Sequence, residues 1–158
     1  MKKLLVAIAV AILSISANAQ VYLGGSLNFQ TAANNAVVTL APEIGYNLSA
    51  NTAVGTVIGW SNAGAANTFT LQPYYRYGLK SFGPVSFFID GELQITAITR
   101  GGASTTNFGV GVAPGIAIQA GDHFSFVGHI ARIGYYGGAF GVNVDTNNNF
   151  MMGVYYHF

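Results

Sequence analysis

Thr70 to Tyr77 reads TLQPYYRY. Leu71, Pro73, Tyr75 and Tyr77 fall on one side of an extended chain, and Thr70, Gln72, Tyr74 and Arg76 on the other. That period of two marks a strand with two unlike faces. A proline at its centre is unexpected, because proline removes a ladder donor and argues against a paired interior strand. The rest of the chain has to account for the proline and for the arginine beside the tyrosines.

Composition narrows the possibilities first. Residues 1–19 carry Lys2 and Lys3, an apolar run from Leu4 to Ile15 and a small-x-small site at Ala17-Asn18-Ala19. This is the pattern of a secretory signal peptide, with Gln20 the expected mature N-terminus. The apolar run is short for a membrane anchor. No cysteine occurs, so neither a cysteine-linked lipid nor a disulfide framework is available to the exported chain. Residues 20–158 suffice for one domain. They hold Arg76, Lys80, Arg100 and Arg132 against Glu43, Asp90, Glu92, Asp122 and Asp145. That near-balance leaves no basic patch for nucleic acid.

Charged residues make up 7% of the chain, against roughly 25% in soluble domains. Water is a poor solvent for such a surface; lipid is a good one. Gly, Pro, Asn and Thr interrupt every apolar stretch after the leader before it reaches the roughly 20 residues of a spanning helix. A backbone in hydrocarbon must satisfy its own hydrogen bonds, and with helices removed a closed barrel remains. A soluble β-sandwich would need alternate faces polar enough for water, which this chain lacks.

Clusters of small polar residues divide residues 20–158 into eight segments of the length a transmembrane strand needs. The strands are predicted near 21–30, 38–48, 53–61, 68–78, 85–98, 107–119, 123–135 and 149–158. Alternation is clear in most of them. Strand two, for example, sets Val38, Leu40, Pro42, Ile44, Tyr46 and Leu48 against Thr39, Glu43 and Asn47. Strands three and seven show no clean phase. The connections SANT (49–52), LKSFGP (79–84) and AGD (120–122) read as tight turns. TAANNA (31–36), NAGAAN (62–67), RGGASTT (100–106) and the stretch around 136–148 read as looser loops. Short periplasmic turns opposite longer external loops are expected of an outer-membrane barrel. Two aromatic girdles are also expected: Phe29, Trp60, Phe69, Phe108 and Phe150 at the outer end, with Tyr22, Tyr46, Tyr77, Phe124, Phe126, Tyr156 and Phe158 at the inner.

LAPEIGY (40–46), LQPYYRY (71–77) and VAPGIAI (112–118) place prolines at similar depth in strands two, four and six. In a closed barrel each is expected to mark a bulge or local bend that helps the wall curl. The run APEIGYNLSANTAVG (41–55), FTLQPYYRYGL (69–79), GVAPGIAI (111–118) and the terminal MMGVYYHF resembles the small outer-membrane β-barrel proteins of Bacteroidetes-type bacteria, OmpA/OmpX-like in form. The resemblance covers residues 20–158. It implies an all-β transmembrane, eight-stranded antiparallel up-and-down barrel in the bacterial outer membrane, surrounded by lipid and lipopolysaccharide. It also implies handling by the barrel assembly machinery through a terminal signal made of Val154, Tyr156 and Phe158. It says little about activity, since one scaffold hosts many roles.

Alternation turns Glu43, Arg76, Asp90 and Glu92 inward, with Arg132 and His129 expected to join them. Eight strands leave an interior just wide enough for side chains, so a salt-bridge network filling the barrel is favoured over an ion path or a catalytic carboxylate pair. His123 and Ser125 share a face, as a base and nucleophile would. They lie at the periplasmic end, with no carboxylate to orient the histidine. His123 and His157 without a third ligand make a weak metal signal. GVGVAPG (109–115) lacks the helix that a phosphate loop needs. The expectation is a non-enzymatic, cofactor-free, monomeric barrel with a plugged lumen and a structural or surface-interacting role. The alternatives are a narrow solute channel and a lipid-modifying barrel enzyme.

Overall fold

The computed structural model describes residues 20–32, 35–144 and 152–158. The predicted leader at 1–19, Asp145 and the beginning of the predicted eighth strand lie outside them, as do the side chains of Phe29 and Phe150.

Ten antiparallel segments make the wall: β1 (Val21–Ala32), β2 (Asn35–Ser49), β3 (Thr52–Ala63), β4 (Ala66–Phe82), β5 (Val85–Arg100), β6 (Ala103–Gln119), β7 (Phe124–His129), β8 (Ala131–Tyr136), β9 (Ala139–Val144) and β10 (Met152–His157). Each of β1 to β5 pairs with the next in sequence, and β5 continues the ring to β6. β7 and β8 lie end to end against β6. β9 pairs with β8 and β10 with β7, and β10 closes the ring on β1 through Tyr22↔His157 to Gly25↔Val154. The ten segments are therefore eight staves of one closed barrel, joined at the seam by the four β1–β10 pairs, while among the described residues β9 pairs with β8 alone.

The stretch that opened the reading lies in β4, 17 residues long. Tyr75 and Tyr77 are about half exposed on the outer wall, while Gln72 and Tyr74 are buried in the lumen. The proline fits without a register shift. The β4–β5 pairing is interrupted between Leu71↔Ile95 and Tyr74↔Glu92, and resumes in the same register. Pro42 sits in the same kind of gap on the β2–β3 ladder, between Leu40↔Trp60 and Glu43↔Val57. At Pro114 the gap lies between Val112↔Ile133 and Gly115↔His129, and here the neighbouring strand carries one extra residue, Ile130. Of the bulge or local bend expected at each proline, a bulge accompanies one of the three. Each proline interrupts the ladder toward the next stave, only the third goes with a bulge, and that bulge belongs to the neighbour.

The Ile130 bulge explains the illegible phase of the seventh strand. Ser125, Val127 and His129 face inward before it, and Arg132, Gly134 and Tyr136 after it. An inserted residue shifts a period-two pattern by one. Register shifts also occur at Leu48 and Leu79, beside the turns near the chain termini.

The looser external loops are also corrected. β3 runs into β4 through a two-residue turn containing Gly64 (φ 62°), β5 into β6 through Gly101 and Gly102 (φ 56° and 86°), and β8 into β9 through Gly137 and Gly138 (φ 58° and 92°). Positive φ in a two-residue loop matches the twist of the flanking strands. The Gly-Asn-Ala clusters are therefore hairpin chemistry, and ladders run up to the turns. Residues 139–144, expected in a loop, form β9.

The outer wall is apolar. Leu40, Ile58, Leu93, Val110, Val142 and Val154 are all 41–58% exposed. Trp60, Phe69 and Phe108 are exposed toward the end opposite the termini, and Tyr46, Tyr77, Phe124, Phe126 and Tyr156 toward the terminal end. Tyr22 does not join that girdle; at 2% exposure it is a lumen residue.

Candidate functional site

The lumen contains the chain's densest polar chemistry. Alternation places Glu43 on β2, Arg76 on β4, and Asp90 and Glu92 on β5 inside, and cross-strand register makes Arg76 and Asp90 direct partners. The Arg76 guanidinium donates through Nε and Nη2 to the two Asp90 oxygens, both at 2.8 Å. Such a fork is among the stronger polar contacts, because geometry and charge act together. Nη2 also stands 3.7 Å from Glu43 Oε1. The guanidinium lies over the Phe88 ring at 4.1 Å and the Tyr74 ring at 4.9 Å, where the ring faces attract cations.

Glu43 accepts hydrogen bonds from the Tyr74 and Tyr155 hydroxyls, and the Tyr22 and Tyr74 hydroxyls are 2.6 Å apart. His129 Nε2 lies 2.8 Å from Asp90 Oδ2. Glu92 accepts from Gln72 and, at 2.7 Å, from the Tyr136 hydroxyl, while Arg132 Nε stands 3.4 Å from it. Asp90, Glu92 and Glu43 are 1%, 3% and 5% exposed. Each is held by side chains from at least two other strands, as buried charge requires. The five charged residues singled out from sequence thus lie in the lumen in two neighbouring groups, Arg76, Asp90 and Glu43 with His129 in one, and Glu92 and Arg132 in the other. Arg132 and His129 both reach the lumen only because the Ile130 bulge resets the alternation between them.

Tyr22, Gln72, Tyr136 and Tyr155 are functional members that charge-based reading passed over. Their signal was inward parity together with glycine on adjoining staves. A Cβ on Gly45 would lie 2.1 Å from the Tyr22 ring, and one on Gly24 2.3 Å from that of Tyr155. The rings lie flat across backbone that carries no side chain, which lets hydroxyls reach carboxylates near the barrel centre.

On the terminal side the network floors an open cavity of about 380 Å³, bounded among others by Ser49, Asn51, Gln119, Asp122, Ser125 and His157. The His123–Ser125 pairing expected of a base and nucleophile does not form. Ser125 Oγ is hydrogen-bonded to His157 Nε2 at 2.8 Å, whereas His123 Nδ1 lies 2.9 Å from the His157 carbonyl oxygen and its ring stacks on Tyr156. Among the described residues no three His, Asp or Glu side chains converge as a metal site. Val154 and Tyr156 face outward on β10, and the Phe158 ring packs edge-on to Tyr156 at 4.9 Å. The Phe158 amide donates to the Val21 carbonyl at 3.2 Å, across the closing seam.

No protein-family model matches the chain, and no curated protein sequence does. Solved structures do. The crystal structure of Neisserial surface protein A (NspA) superposes with a TM-score of 0.59 over 87% of this chain and 96% of that one, at 15% identity. A structure from a study of de novo designed transmembrane β-barrels aligns over 89% of this chain and 96% of its own, at 12% identity and a TM-score of 0.44. At such identity the NspA likeness establishes the fold, a closed eight-stranded antiparallel barrel.

Proposed function

We propose that the chain is an integral outer-membrane barrel whose lumen is plugged by side chains, and whose role is structural or surface-interacting rather than enzymatic. One observation carries the reading: the cross-barrel network of Arg76, Asp90, Glu43, Glu92, Arg132 and their tyrosines. A path for ions would need water where these groups bond one another. The apolar outer wall and aromatic ends support a lipid surround, with lipopolysaccharide against the outward half. The outward Val154 and Tyr156 with Phe158 support delivery by the barrel assembly machinery. A closed ring supports a monomer, and among the described residues any surface contact would fall to short hairpin tips.

The second reading is a narrow channel, favoured by the open cavity that reaches Arg76 from the terminal side. Single-channel recording of the folded barrel in planar bilayers separates the two. The plugged reading expects no steady conductance above the bare bilayer; resolved, reproducible steps would replace it with the channel.

A further inference from the structure

Toward the chain termini the lumen beneath the network is left unfilled. The inward positions next to Arg76 hold Ala53 on β3 and Gly78 on β4, with Ala117 on β6 and Val127 on β7 across the ring. Ala53 stands directly opposite Arg76, and Ala117 opposite Val127. Eight strands leave an interior that full-sized side chains just fill, so small ones leave space, here the cavity of about 380 Å³. That volume suits a small molecule. Ala53, Phe88, Val127, Tyr22 and Tyr155 form a buried apolar cluster, Ala117 packs against it, and all six border the cavity. Lys80 and Asp122 also border it, both exposed and of opposite sign, and charges in water act weakly. His157 Nε2 is taken up by Ser125 Oγ. At the inner end a strong donor remains. Arg76 gives Nε and Nη2 to Asp90, while Nη1 has no hydrogen-bond partner among the described residues. Nor is Nη1 one of the buried polar atoms left without a partner, which are Thr56 Oγ1 and Arg132 Nε. It is therefore accessible, and the space that Arg76 borders is this cavity.

We infer that the cavity is a binding site for a small uncharged molecule with an apolar or aromatic body and a carbonyl oxygen, which accepts a hydrogen bond from Arg76 Nη1. Charge of either sign is disfavoured. A carboxylate at Nη1 would stand beside Asp90 and Glu43, whose oxygens lie 2.8 and 3.7 Å from the same guanidinium. An ammonium would meet the guanidinium itself, and like charges this close repel strongly away from bulk water. A neutral carbonyl supplies the acceptor without either cost, and its body displaces water from the apolar walls. The inference builds on the plugged-lumen reading, because the network is the floor of the site. Binding is measured without reference to conductance, so either can fail alone.

The test titrates the isotopically labelled barrel, folded in nonionic micelles, with benzamide, benzoate and benzylammonium, and follows the backbone amides by NMR. Benzamide should give saturable shifts centred on Ala53, Ala117 and Val127, and bind about tenfold or more tightly than either charged analogue. No saturable shift, or shifts confined to the outer wall at Phe124 and Phe126, would overturn the site, the second because the probe has merely entered the micelle. Benzoate or benzylammonium binding as well as benzamide would overturn the assignment to an uncharged ligand. Two variants locate the site, each first shown to fold by its heat-dependent gel migration. Ala117→Phe fills the cavity and should abolish the benzamide shifts. Arg76→Met removes the donor and keeps the carboxylates, so benzylammonium should then bind more tightly than benzamide. Unchanged benzamide affinity in either variant refutes the inference. Where a variant does not fold, the comparison of the three probes on the original chain decides.

Discussion

Arg76 concentrates the residue-scale argument. It forks onto Asp90, lies near Glu43 and covers two aromatic rings, while its side chain is only 13% exposed. Replacing it with Met keeps the length and removes the charge, leaving Asp90 short of its principal partner. Breaking a buried pair costs about 3–5 kcal/mol, toward the lower end here because the cavity admits water from the terminal side. The measurable outcome is a lower urea midpoint for Arg76→Met at an unchanged slope. An unaltered midpoint would mean the lumen is hydrated enough to make the pair dispensable. A second residue-scale outcome concerns Gly45, where a side chain would strike the Tyr22 ring. Gly45→Val should lower the midpoint by a similar amount, because the ring must leave its place beside Tyr74. The double variant Gly45→Val/Tyr22→Ala should recover part of the loss; no recovery would put the strain in the backbone instead.

The limits of the sequence are plainest at the scale of elements. Alternation made Glu43, Arg76, Asp90 and Glu92 legible, because β2, β4 and β5 keep one parity through the residues concerned. It could not serve in the seventh stave, where Ile130 is an insertion recognisable only against its neighbour β6. Nor could it distinguish a floppy loop from a type I′ turn at Gly101–Gly102 or Gly137–Gly138, since both are written in glycine. The tyrosine lids were hidden for a related reason: a tyrosine suits an interfacial girdle as well as a lumen, and parity alone decides. Deleting Ile130 tests the account. It would restore strict alternation with Arg132, Gly134 and Tyr136 still facing the lumen, so the variant should fold in normal yield on refolding into micelles, read as the heat-shifted fraction on gels. Removing Ala131 as well would turn those three residues onto the outer wall and bury a guanidinium in lipid, so far less folded barrel is expected. Equal yields would show that the pairing slips to absorb the loss. The last strand yields a companion outcome in cells. Deleting Phe158 removes the aromatic edge on Tyr156 and the amide that donates to Val21. It should lower the amount inserted in the outer membrane without lowering export, and normal insertion would remove the terminal residue from any assembly signal.

At the scale of the whole molecule, ring and plug are separable contributions to one stability. The ring is held by ladder hydrogen bonds that run from β1 round to β10 and back, so detergent has to break a ladder to open it. The plug is held by about a dozen side chains that the ring only positions. Closure therefore predicts heat-modifiable migration: the folded chain should run as a compact species on a gel until boiled, then shift. Removing the plug leaves the ladder untouched, so Arg76→Met should still show the compact species. The temperature at which half of it converts should fall along with the urea midpoint. If Arg76→Met abolished the compact species altogether, the lumen network would be a condition of closure. If the original chain ran identically before and after boiling, the ring itself would be wrong, and every inward assignment built on it would go too.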